Sequence, residues 1–176
     1  MIKLVTTFFY VGRLTPAPGT WASIVAILAG YLIHALGGFP AFATATVAVF
    51  IIGWIAITVE TNGSEDHDPS EIVIDAVVGQ WIALLPISFV MEQISLTLEP
   101  LGIDTWFFPY PFFMFALLMF RLFDIWKPGP VGWANRMGSP LGTMLDDAIA
   151  GLMVVILELG AILIAYIVFS NAVFVP

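Results

Sequence analysis

The chain has 176 residues, of which 60% are hydrophobic and 10% charged, and its mean hydropathy is +1.02. A soluble domain carries about a quarter charged residues, so the composition excludes one and points to a single integral membrane domain over residues 1–176. The net charge of −8 argues against nucleic acid as a partner, and the lack of cysteine excludes disulfides and thiolate metal sites.

The start, MIKLVTTFFYVGR, holds a short apolar run with one Lys. The LTPAPGT that follows has no small-residue cleavage pattern, so the start reads as an interfacial segment and not as a signal peptide. Five apolar segments come next, at 21–36, 41–59, 72–91, 106–126 and 145–169. Each is about long enough to cross, or nearly cross, a hydrocarbon core of ~30 Å. GGFP at 37–40 turns the chain between the first two. A polar loop, ETNGSEDHDPSE, precedes the third, and a mildly acidic loop follows it. KPGPVGWANRMGSPLG reads as a Gly/Pro-rich loop before the fifth. The expected architecture is an all-α membrane bundle of about five spans with a short interfacial N-terminal segment. Ala22, Ala26 and Gly30 recur at i, i+4, i+8 and read as a helix-packing seam.

Lys3, Arg13, Arg121, Lys127 and Arg136 are the only Lys and Arg. With five spans all of them fall on one side, which the positive-inside rule makes cytoplasmic.

The same ends carry carboxylates. Asp75 lies one turn into the third span, where a bare charge at the membrane centre costs roughly 3 kcal/mol or more. Asp124 is near the end of the fourth span, and Asp146 and Asp147 open the fifth. Three helices thus bring carboxylates to one depth. Unpaired, such groups protonate or repel; a hard divalent cation such as Mg²⁺ resolves the conflict. Bland readings stand beside this one. Asp68-Pro69-Ser70-Glu71 has capping-box spacing with Pro at the first helical position, and Thr143 to Asp146 has the same spacing. Asp124 also suits an ion pair with Arg121 three residues earlier. Asp75 has no comparable alternative. Glu158, eleven residues after Asp147, shares its face about 16 Å deeper and is expected to make a structural hydrogen bond or a subunit contact.

Phosphate-binding chemistry lies beside the acids. LTPAPGTWAS, residues 14–23, delivers a Pro/Gly loop to a helix start with Thr20 as N-cap, a place where free N–H groups bind anions. Arg121 and Lys127 add a forked donor and a point charge. For Lys3 and Arg136, snorkelling at the interface is explanation enough.

Four stretches together, RLTPAPGTWAS, DPSEIVIDAVVGQW, FRLFDIWKPGPV and GTMLDDAIAG, resemble in order and spacing the motifs of the phosphatidylglycerophosphatase A family. The resemblance covers about residues 13–151. It implies a Mg²⁺-dependent lipid phosphatase of the bacterial inner membrane, active on the cytoplasmic side, that converts phosphatidylglycerophosphate to phosphatidylglycerol. Carried onto this chain, it implies Asp75, Asp124, Asp146 and Asp147 as metal ligands, with Asp75, Asp124 and Asp147 at the reacting centre. It likewise implies Gly19, Thr20, Ser23, Arg121 and Lys127 around the phosphate. The chain departs from the pattern once: where the family usually has Glu after Asp75, Ala76 stands here. That implies an impaired member, either natural or made by removing the Glu, and the intact surrounding motif points to removal. From the residues alone, a cation transporter with an intramembrane acidic site and another lipid-phosphate enzyme remain alternatives. A transporter's acids should cross the midplane, whereas these gather at one end.

Overall fold

In the computed structural model the described residues are 1–63, 69–98 and 110–174, and every regular element among them is helical. A short helix α1 (Ile2–Thr6) and a 3₁₀ turn (Val11–Arg13) lead into α2 (Pro18–Glu60), α3 (Ile74–Leu98), α4 (Tyr110–Trp126), α5 (Gly129–Asn135) and α6 (Pro140–Phe174). Among the described residues three helices are long and apolar enough to cross a membrane: Pro18–Glu60, Ile74–Thr97 and Pro140–Ile164. The first part of the expected fourth span, 106–109, lies outside the described residues, and 17 residues of α4 are seen.

The 43 residues of α2 are two helices joined at Gly38, whose φ of 69° and ψ of −167° are not helical. Glycine reaches that φ without a Cβ clash, and Pro40 removes a ladder donor just beyond. In a straight helix Gly30 and Phe42 would be about 18 Å apart. Here a Cβ on Gly30 would lie 2.9 Å from the Phe42 ring, so the second arm runs back along the first. The stripe of small residues is the seam that permits this approach. Ala22 and Ala26 are fully buried, and Trp81 of α3 packs edge-on to Phe42 and donates its Nε1–H to Ala26 O at 2.7 Å.

α3 and α6 cross closely. A Cβ on Gly79 would sit 2.5 Å from Asp147 O, and one on Gly151 would strike Gly79 O. Two glycines on facing helices therefore let the backbones touch.

The ends of the elements differ from the sequence expectation in three places. The 127–142 stretch is not all loop: it contains α5, which starts where Pro128 and Pro130 leave few N–H groups to satisfy. The capping-box reading of Glu71 fails, because α3 begins at Ile74 and 69–72 form only a turn, closed by Ile72 N–H to Pro69 O at 2.8 Å. Val73 N–H goes to Thr6 O at 2.9 Å, and Glu71 O lies against Gly12, so this strip is held by the N-terminal segment. Glu71 instead faces Arg13, an exposed pair at 3.5 Å that contributes little. Asp68 lies outside the described residues. Lastly, α6 starts five residues before the expected span. Ser139 accepts from Gly142 N–H at 3.1 Å, and Pro140 takes the first helical position.

Candidate active site

The element ends at one pole of the bundle bring the acidic and basic side chains together. α4 stops at Trp126 because Lys127 precedes Pro128, which disfavours a further helical residue. Lys127 turns out of the helix with φ 50° and places Nζ 2.7 Å from Asp146 Oδ2. Asn135, the last residue of α5, donates Nδ2–H to the same oxygen at 2.9 Å. Asp146 Oδ1 accepts from Asp147 N–H at 2.9 Å. Both oxygens of Asp146 are thus engaged, and the residue ties α4, α5 and α6 together. It does not cap α6, since Ser139 does.

Asp147 is 5% exposed, and Asp124, Asp75 and Asp146 lie close enough to act on it electrostatically. Asp75 is also buried, and one of its oxygens accepts from Ala76 N–H at 2.9 Å. The Gly79–Gly151 contact is what carries Asp75 and Asp147, one turn back on each helix, into the same small volume. Asp124 makes an ion pair with Arg121 Nη1.

Arg121 bridges to α2 as well. A Cβ on Gly19 would be 2.8 Å from Nη1, so the guanidinium lies flat over the start of that helix. Its Nε–H is buried and has no acceptor among the described residues. The helix start itself differs from expectation. Ala17, with φ 62°, is the N-cap and Pro18 the first helical residue, so Thr20 is in the first turn and does not cap. Thr20 and Trp21 N–H both turn back to Ala17 O, at 3.0 and 3.3 Å. Ser23 is fully buried and donates to Gly19 O at 2.9 Å, which turns its hydroxyl into its own helix. Gly19 therefore reaches the basic cluster, and Ser23 does not.

Asn135 is the site-bordering residue that sequence reasoning missed. The expected structural hydrogen bond of Glu158 is not found either: both carboxyl oxygens are buried with no partner among the described residues. Glu158 lines an otherwise apolar cavity of about 480 Å³ where Pro86 and Phe115 face α6. His34, at the other pole, pairs with Ser88 at 2.8 Å and takes no part.

Among the described residues no three or more His, Cys, Asp or Glu side chains are grouped so that they could hold a metal ion. The donor chemistry nonetheless suits a hard cation, since Asp75, Asp124 and Asp147 offer only carboxylate oxygens.

Residues 4–162 match the family described as Phosphatidylglycerophosphatase A. The chain belongs to the phosphatidylglycerophosphatase A family. It is 30% identical over 156 residues to the phosphatidylglycerophosphatase A of Haemophilus influenzae, covering 88% of this chain and 85% of that one. The phosphatidylglycerophosphatase A of Escherichia coli is 28% identical over 137 residues, 77% of this chain and 69% of that one. A protein of Bacteroides thetaiotaomicron provisionally named a phosphatidylinositol-3-phosphatase is 31% identical over 153 residues, 84% and 85% of the two chains. No solved structure matches. Membership makes the chain a phosphoric monoester hydrolase, and the matched residues include Asp75, Asp124, Asp147 and Arg121.

Proposed function

We propose that this chain binds phosphatidylglycerophosphate at the aspartate pole and hydrolyses its terminal phosphomonoester to phosphatidylglycerol and phosphate, in a Mg²⁺-dependent reaction. The observation that carries the proposal is Arg121, a half-satisfied guanidinium beside a carboxylate cluster. Nη1 is held by Asp124 while the buried Nε–H lacks an acceptor among the described residues. An unpaired buried donor costs about 1–3 kcal/mol, and a phosphoryl oxygen is the acceptor a guanidinium fits best.

Asp75, Asp124 and Asp147 would hold Mg²⁺, which when bound polarises the phosphoryl group and lowers the pKa of a coordinated water. The chain's own side chains do the rest. Arg121, fixed by Asp124 and seated over Gly19, presents its free edge to the phosphate and balances charge as it develops. Lys127 stays anchored on Asp146 and adds positive potential from the α5 side. Ala76 cannot accept a proton or bind a cation, so this chain lacks the group that would orient or deprotonate the attacking water. We read Ala76 as the reason its turnover is impaired. Arg121 and Lys127 pair with Asp124 and Asp146 at this pole and Arg13 pairs with Glu71 just before α3, which supports a bacterial cytoplasmic membrane with the site facing the cytoplasm.

The test is phosphate release from phosphatidylglycerophosphate, with and without Mg²⁺. Phosphatidic acid and phosphatidylinositol 3-phosphate serve as competing substrates; the second is included because of the Bacteroides relative's name. Preference for phosphatidylglycerophosphate supports the proposal, and faster release from either competitor overturns the substrate assignment.

A further inference from the structure

Gln80 is completely buried, and both its Nε2 and its Oε1 are without a hydrogen-bond partner among the described residues. Buried polar side chains in native proteins are nearly always paired, and each exception asks for an explanation. Two stranded atoms on one carboxamide are more than a chance gap in a network. The residue sits at the site: Gly79, its neighbour, presses on the backbone of Asp147, and Asp75 is five residues back on the same helix.

The helix geometry says where the missing partner belongs. Long side chains on a helix lean toward its N-terminus and cover the turn three to four residues earlier. For Gln80 that turn holds Ala76, which is 3% exposed and has only a methyl group to offer. Residues four apart are direct neighbours on a helix surface.

We infer that Gln80 is a positioning residue for an oxygen-bearing side chain at position 76, its carboxamide N–H holding a carboxylate there in a fixed orientation beside Asp75. The inference rests on the proposed role of position 76 and deepens it. Such a pair has a plain chemical logic. A carboxylate next to Asp75 and Asp147 would swing away from like charge unless something held it. A neutral amide holds it by a hydrogen bond without adding charge of its own. In the present chain the methyl of Ala76 leaves that amide buried for nothing.

A four-member cycle tests this: the parent chain, Gln80→Leu, Ala76→Glu and the double variant, purified in one detergent. Thermal midpoint, kcat and KM for phosphatidylglycerophosphate are measured for each. In the parent, Gln80→Leu removes two stranded polar atoms, so the midpoint rises. In the Ala76→Glu background the same change removes a partner, so the midpoint falls. There kcat drops about 10–100-fold, the usual effect of deleting a group that orients a catalytic side chain, with KM little changed. Gln80→Met repeats the cycle with an unbranched side chain should the Leu variants not fold. A fall in midpoint of the same size in both backgrounds makes Gln80 a core filler and overturns the inference. Failure of Ala76→Glu to raise hydrolysis defeats the reading of residue 76 as catalytic, while the sign change in the midpoint still reports whether the two side chains pair.

Discussion

Gly151 touches Gly79. A Cβ on Gly151 would run into the carbonyl oxygen of Gly79, and a Cβ on Gly79 would meet the carbonyl of Asp147. This close backbone approach of α3 and α6 thus lies one turn beyond the two aspartates that it brings together.

Gly151→Ala should therefore cost activity out of proportion to its size. Forcing a methyl into a packed crossing typically costs about 1–3 kcal/mol, and the strain is relieved only by parting α3 from α6. The expected result is a lowered thermal midpoint with a larger fall in phosphate release, as Asp75 leaves Asp147. Gly160→Ala on the same helix, where a Cβ would meet nothing within 4 Å, should leave both measurements near the parent values.

Arg121→Ala and Lys3→Ala should separate. Arg121 is the guanidinium between Asp124 and Gly19, whereas Lys3 belongs to α1 and is in none of the ion pairs seen among the described residues. In an active background, loss of Arg121 is expected to lower kcat by about 10²–10³, as removal of one stabiliser of transition-state charge does. Loss of Lys3 should change little. Equal effects would assign both residues to topology and remove Arg121 from the site.

Ala76→Glu should raise Mg²⁺-dependent hydrolysis by about 10²–10⁴, the range for general-base assistance. Both forms must be shown to be folded before phosphate release is compared across Mg²⁺ concentrations. Equal turnover by the two would mean that residue 76 is not catalytic.

Chelation with EDTA should abolish hydrolysis, and Mg²⁺ should restore it in a saturable way. Asp147→Asn should weaken that saturation more than Asp146→Asn, because Asp146 already serves Lys127 and Asn135 with one oxygen and Asp147 N–H with the other. The reverse order would make Asp146 the principal ligand.

The helices and the acidic pole were readable for physical reasons. A buried charge in an apolar run is costly enough that Asp75 stands out unaided, and one-sided cations order the ends. The reversal at 37–40 was readable because Gly and Pro punctuate helices strongly. Asn135 was not, because α5 has seven residues, too few to show a hydrophobic period. Its one clue was Pro128-Gly129-Pro130, proline at a helix start, which also reads as loop. Thr20 was misplaced as a cap because its side chain suits that role, while Pro18 two residues earlier already suited the first helical position. The stranded amide of Gln80 could not be foreseen, since sequence shows which groups are polar and not which lack a partner.

The reversal at Gly38 also bears on biogenesis. Between Arg13 and Glu60 there is no Lys, Arg, Asp or Glu, so the segment can enter a bilayer as a paired hairpin without dragging a fixed charge across. Each arm satisfies its own backbone, and the Gly30–Phe42 contact joins residues only twelve apart, the kind of local closure that forms early. Thr6 then donates its hydroxyl to Glu60, an acceptor that reaches Thr6 only after the second arm has returned. Val73, which donates its N–H to Thr6 O, ties the approach to α3 to the same N-terminal segment.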